Sequence, residues 1–338
     1  MRKWMLAAAV AALHVAALAP LPGVAAAQPK PTPTPDHHER KPDEIFRKQE
    51  LSRGAWVLYG KGGNIGFLVG PDAVLVVDSE FKELVPGILS QIKSVSDKPI
   101  KYLVNTHHHG DHTGGNEGFR PFAVILAHEN VRKRMLASPQ TILKEYPAYL
   151  EDAKKKGNKE DIQFLEDSIA WAKKVKVEEI AAPVVTYESG VRIHVGDETI
   201  SVWHTPPAHT DGDSVILFEN AKVLHMGDLF FHRMIPFIDV SSGGSAKGYA
   251  AAIDAVIARV PPDVKIIPGH GEATDLAGLK EARQYIADVL DAAQKAKAAG
   301  KTKEQFLASV DLPKYKAYDG YDERFKDNCA AAWDETAK

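Results

Sequence analysis

Residues 106–112 read Thr-His-His-His-Gly-Asp-His and place four potential metal ligands, His107, His109, Asp111 and His112, within six positions. An apolar run at 100–104 precedes them, so the segment reads as a strand feeding directly into a ligand loop. A tight loop can splay alternate side chains, sending His107 and His109 to one ion and Asp111 and His112 to a second. Imidazole and carboxylate together suit zinc, and less often iron or manganese. A His-rich surface loop is the competing explanation.

Three later segments weigh against it. The run 200–203 leads to His204-Thr205-Pro206-Pro207-Ala208-His209-Thr210-Asp211. The run 223–226 leads to Gly227-Asp228, and the run 264–267 leads to Pro268-Gly269-His270-Gly271. Each is a short β-type run ending in a turn that carries a His or an Asp. An α/β scaffold builds its site by gathering ligands at the carboxyl ends of several strands. Singly, His209 could cap a turn, Asp228 could be a helix N-cap and His270 could be a surface residue. Their joint placement behind strands argues for one site.

The order His-x-His-x-Asp-His, then His, then Gly-Asp, then Gly-His resembles the metallo-β-lactamase superfamily, over roughly residues 56–271. The resemblance implies an α/β fold, the αββα four-layer metallo-β-lactamase sandwich, with the site at one edge of the two sheets. It implies that His107, His109 and His209 hold a first metal, that Asp111, His112 and His270 hold a second, and that Asp228 bridges both. Two Zn2+ per chain follow from that set. Asp78, after the run 74–77, stands where the family has an acidic residue that orients a ligand imidazole. Asp at 228 resembles the glyoxalase-II-like, lactonase-like and phosphodiesterase-like branches, whereas the secreted β-lactamases usually carry Cys or Ser there. The di-iron flavoproteins usually have Glu where this chain has His109, and the persulfide dioxygenases retain a similar motif.

A metal pair of this kind lowers the pKa of a shared water from ~16 to roughly 7 and so supplies hydroxide at neutral pH. Asp111 and Asp228 are then the candidate catalytic carboxylates, placed to orient the nucleophile's proton. The expected activity is an exported, zinc-dependent hydrolysis of an ester, lactone or amide-type bond in a small-molecule substrate. The alternatives are a β-lactamase acting on β-lactam antibiotics and a mononuclear-iron, persulfide dioxygenase-like oxidoreductase.

The elements around these motifs complete the expectation. Met1-Arg2-Lys3, an Ala/Leu/Val-rich run at 5–18 and Ala25-Ala26-Ala27 read as a signal peptide over 1–27, implying a periplasmic or secreted protein with no membrane anchor after cleavage. Residues 28–44, rich in Pro, read as a disordered linker, and 45–338 as the catalytic domain. The net charge of −3 gives no basic footprint for nucleic acid. The only cysteine, Cys329, excludes an internal disulfide and reads as a buried bystander. Strands are expected at 55–59, 65–69, 73–77, 100–104, 122–126, 184–187, 192–195, 200–203, 223–226 and 264–267. Helices are expected at 81–95, 246–259, 276–299 and 303–310, with C-terminal helices over about 275–338. A helical insert over about 128–182, with His128 capping its start, either overhangs the site through Tyr146, Tyr149 and Trp171 or merely packs. The apolar stretch 229–237 reads as core or as a pocket wall. The Ser/Gly-rich start at 241–245 reads as a plain N-cap by Ser245 or as an anion-binding helix terminus.

Overall fold

In the computed structural model residues 45–336 are described, so the expected signal peptide and the whole of the expected linker lie outside them. Among the described residues twelve strands form two sheets. The first holds β1 (Arg47–Ser52), β2 (Ala55–Tyr59), β3 (Ile65–Val69), β4 (Val74–Val77), β5 (Ile100–Val104), β6 (Val124–His128) and β7 (Val185–Tyr187), paired in that order. The pairing is antiparallel from β1 to β4 and parallel from β4 to β7. The second runs β12 (Lys265–Ile267), β11 (Val223–His225), β10 (Ser214–Phe218), β9 (Glu198–His204) and β8 (Gly190–Val195).

Strand periodicity builds three cores and hence four layers. In β4, Leu75 and Val77 face the second sheet and meet Val57, Val104, Val202, Ile216 and Ile267. Their neighbours Val74 and Val76 face outward, onto Ile88 and Ile92 of helix α1 (Val85–Lys93). The outer face of the second sheet, with Trp203, Val215, Leu224 and Ile266, packs against three helices spanning Ala246–Arg259, Leu276–Ala298 and Tyr321–Glu335. With both faces of each sheet covered, the central strands are apolar runs without alternation. This is the α/β/β/α sandwich expected.

Most strand and helix limits match the sequence reading to within two residues. Strand β1 was not expected: its sequence, RKQELS, is polar because it is an edge strand. Strand β10 was also unanticipated. The C-terminal helix Tyr321–Glu335 is weakly amphipathic, yet it buries Phe325 and Cys329 in the outer core. The Cys329 thiol is fully buried and pushed up to about 12 by desolvation, as befits a bystander. The insert is a helical hairpin, Glu129–Lys156 and Lys159–Ala172, turned at Gly157 with φ 70° and capped at its start by His128.

The Ser/Gly-rich start at 241–245 does not face an external anion. Ser245 accepts from Gly248 N at 2.9 Å, and the Glu335 carboxylate accepts from Ala246 N and Lys247 N at 2.8 Å each and from Ser245 Oγ at 3.0 Å. The helix terminus is thus filled from within, which clamps the C-terminal helix to the sandwich. Replacing Glu335 with Ala should cost about 1 kcal/mol and lower the melting temperature by roughly 2–4 °C, read by thermal unfolding. An unchanged Tm would mean the clamp contributes nothing.

Candidate metal centre

Four strand ends converge at one rim of the sandwich. Strand β5 leads into His107 and His109 and then into a short helix, Gly110–Thr113, that turns Asp111 and His112 inward. The loop after β9 presents His209, the turn after β11 presents Asp228, and the loop after β12 presents His270. The backbone is forced at two places. Gly227 has φ 50°, and a Cβ there would lie 2.6 Å from Thr106 Cβ. At Gly269 a Cβ would lie 2.0 Å from Asp228 Oδ1. Only glycine lets these turns close on the ligand loop.

All seven expected site residues are brought together, in two sets. His209 Nε2 is 3.0 Å from His109 Nδ1, and His107, His109, His209 and Asp228 offer donor atoms within 4.8 Å of one another. His270 Nε2 lies 3.2 Å and His112 Nε2 3.7 Å from Asp111 Oδ2, and Asp111, His112 and His270 form a second such group. Asp228 stands between them. Its Oδ2 faces His209 at 3.6 Å and His107 at 3.9 Å, while its Oδ1 faces His112 at 3.1 Å and His270 at 3.4 Å. A tetrahedral ion with ligands at about 2 Å sets its donors roughly 3.3 Å apart. These spacings suit that requirement. The buried atoms His107 Nε2, His112 Nε2 and Asp228 Oδ1 have no hydrogen-bond partner, a costly state for polar atoms that a cation would relieve. The residues therefore fit a metal pair.

Three of the imidazoles, His112, His209 and His109, are held from behind by oxygen partners. His112 Nδ1 meets Asp78 Oδ2 at 2.7 Å, and Asp78 also accepts from Thr106 N at 2.8 Å and Thr106 Oγ1 at 2.7 Å. Asp78 sits at φ 64°, a strained backbone kept by these bonds. The expected orienting role is thus what the geometry provides. His209 Nδ1 donates to Phe237 O at 2.7 Å, leaving Nε2 facing inward. His109 is reversed: its Nε2 meets Asp239 Oδ2 at 3.0 Å, so its Nδ1 faces the cluster. Asp239 accepts in addition from Ser241 Oγ and Ser242 N. The sequence reading missed Asp239, since an Asp after a mixed apolar stretch carries no distinguishing pattern. His108 belongs to neither set; its Nε2 lies 3.4 Å from Ser242 Oγ. His204 is also outside, stacked on His128 with ring centroids 3.8 Å apart.

Charge divides the histidines differently: in the first set His109 is raised, burial being outweighed by the Asp239 carboxylate, while its two neighbours are lowered. Burial lowers His107 well below its usual value and takes His209 to about 4, so both are neutral donors. Burial opposes charge on His112 and His270 too, but the Asp228 and Asp111 carboxylates outweigh it and raise His270 to about 9. Those imidazoles in turn hold both carboxyls below their ordinary range despite burial. The protons so attracted are ones a metal cation would displace.

The stretch 229–237 divides. Leu229, Phe230 and Ile235 join the outer core. Phe231 stacks on His270 at 5.1 Å, and Phe237 lies 5.9 Å from His109 and 5.8 Å from His209. These two rings line the cluster. Asp78→Asn should loosen His112 and reduce metal affinity by roughly 10–100-fold, with circular dichroism unchanged. Competition with a chromophoric chelator measures this, and undiminished affinity would contradict the orienting role.

The family model of the metallo-beta-lactamase superfamily matches residues 58–270. An uncharacterized protein of Aquifex aeolicus is 25% identical over 233 residues, covering 66% of this chain and 96% of the relative. A probable hydroxyacylglutathione hydrolase of Schizosaccharomyces pombe is 25% identical over 224 residues, 64% of this chain and 66% of that protein. Among solved structures, a metallo-beta-lactamase from Pontibacter korlensis superposes with a TM-score of 0.52 at 19% identity, over 71% of this chain and 99% of that one. The sec-alkylsulfatase Pisa1 from Pseudomonas sp. gives 0.61 at 17% identity, over 86% of this chain and half of that one. At these identities the structures speak for the fold alone, while the family match, across most of the chain and every candidate ligand, places the protein in the metallo-β-lactamase superfamily.

Proposed function

We propose that this chain is an exported, dinuclear zinc hydrolase that cleaves an ester, lactone or amide-type bond in a small-molecule substrate. The observation that carries this reading is Asp228, whose two carboxylate oxygens face two separate sets of donors. A zinc pair held there supplies the Lewis acidity for hydrolysis at neutral pH. The chain's own groups do the rest. Asp239 and Phe237 O fix the ring nitrogens of His109 and His209 that face inward. Asp111, whose Oδ2 faces His112 and His270, would orient the attacking water's proton through the carboxylate oxygen not given to an ion. Phe231 and Phe237 keep bulk water off one side.

Acyl-carbon hydrolysis is supported by the likeness to a probable hydroxyacylglutathione hydrolase. Export, read from residues 1–27, separates the chain from glutathione, and the net charge of −3 gives no electrostatic pull on polyanions. An activated ester, lactone or β-lactam should therefore be hydrolysed faster than a glutathione thioester or a phosphodiester. Asp at position 228 favours ester or lactone over β-lactam. A kcat/KM comparison on the zinc-loaded mature protein tests this. A tenfold preference for thioester or phosphodiester, about 1.4 kcal/mol of transition-state binding, would overturn it. Asp228→Ala should lower turnover by orders of magnitude with the fold intact, while His204→Ala, outside both donor sets, should be far milder. Wild-type turnover in Asp228→Ala would make Asp228 structural. The mature protein should be periplasmic and start at or near Gln28; N-terminal sequencing that finds Met1 retained would contradict export.

A further inference from the structure

The loop between β2 and β3, residues 60–64, lies against the second donor set. Gly63 N donates to Asp111 O at 3.1 Å. A Cβ at Gly63 would lie 2.2 Å from His112 Cε1, so bare backbone packs on that imidazole. Asn64 reaches the turn of the third member. Its backbone N donates to Gly269 O at 2.7 Å, and its Nδ2 donates to Pro268 O at 2.9 Å and to Gly271 O at 2.8 Å. One residue thus bonds carbonyls on both sides of His270. The Asn64 carbonyl accepts from His225 Nε2 at 3.0 Å, and His225 Nδ1 accepts from Gly227 N, beside Asp228, at 3.2 Å. At the other end of the loop the buried Glu80 carboxylate accepts from Lys61 N at 3.3 Å and Gly62 N at 3.1 Å.

These bonds answer a weakness in the His270 turn. His270 lies between two glycines, and Gly271 has φ 93°, a region open mainly to glycine. Such a backbone is conformationally free, so the ring is poorly fixed by its own chain. His112, His209 and His109 are steered through their ring nitrogens. For His270, Phe231 stacks on the ring at 5.1 Å and Asn64 holds the backbone. Asn64 is only 4% exposed. Removing its amide leaves the Pro268 and Gly271 carbonyls without that donor, a cost the turn escapes by moving.

We propose that Asn64 is a positioning residue for the second ion: bonded across the Pro268–Gly271 turn, it sets His270 opposite Asp111 and His112, so that this half of the site depends on the β2–β3 loop and the first half does not. The proposal rests on the paired-ion reading above. Donors already in place bind an ion more tightly, because they need no ordering in the binding step. Asn64 places one such donor in advance. In the first set, His109 and His209 take their support from Asp239 and Phe237 O, on another part of the chain. That ion is therefore indifferent to Asn64.

The test is a zinc titration of the protein against a chromophoric chelator, joined to long-range proton–nitrogen correlation spectra that report each histidine ring. The wild type should bind two ions. Asn64→Ala should weaken one of them about 10–100-fold and leave the other within about twofold. At one equivalent of zinc the rings of His107, His109 and His209 should shift in this variant, while those of His112 and His270 should not. Val256→Ala, which opens a cavity in the outer core, measures general destabilisation and should leave both affinities unchanged. Should Asn64→Ala fail to fold, Asn64→Ser, whose side chain is too short to span both carbonyls, carries the same expectation. Equal weakening of both ions, weakening of neither or of the first set's ion, or the same selective loss in Val256→Ala would overturn the proposal. If the wild type binds a single ion, the paired-ion reading fails. The metal-free spectra then decide: a His270 ring displaced in the variant, with His107 and His209 unmoved, upholds the positioning role, and an unmoved His270 ring overturns it.

Discussion

A carboxylate buried at the rim of two sheets, shared between two sets of imidazoles, governs the rest of this structure. Asp228 is almost fully buried, and one of its oxygens has no hydrogen-bond partner. A lone charge in such a place is untenable, so the surroundings must be cationic. Protonated imidazoles can serve, and two divalent ions serve better. Everything nearby reflects that demand: glycines 227 and 269 let the turns close around Asp228, and the Tyr249 hydroxyl donates to its backbone carbonyl from the outer helix layer.

The positional demand explains why the outer layers matter to a site they do not form. His112 is steered by Asp78, on the loop after β4, and His109 by Asp239, on the loop before the helix Ala246–Arg259. Each partner sits on a different element, so the site is only as well ordered as the packing of both sheets and their helices. Glu335, two layers away from the first sheet, contributes by closing the start of that helix. The hairpin adds a connection of the opposite kind, joined to the body only near its start, by Arg134–Asp211, Arg132–Pro183 O and the packing of Val131 and Met135 on Ala127 and Ala182.

The seven candidate ligands were legible because metal chemistry leaves few residue types and tight spacings, each behind an apolar run. The sandwich was legible for the same reason, since runs such as 65–69 and 74–77 are buried on both faces. Asp239 was not, because its role depends on a contact 130 residues away with His109. Strand β1 was hidden by its edge position, which demands polar side chains. The stretch 229–237 could not be divided into core and lining because both uses favour the same aromatics. The Ser/Gly helix start at 241–245 was ambiguous until Glu335 appeared there, a partner that no local pattern announces.

The central claim is that two ions share Asp228. Elemental analysis of the mature protein after zinc loading and desalting tests it most directly. Two zinc ions per chain are expected, because seven donors are more than one tetrahedral ion uses. A stable content of one iron per chain would contradict the account.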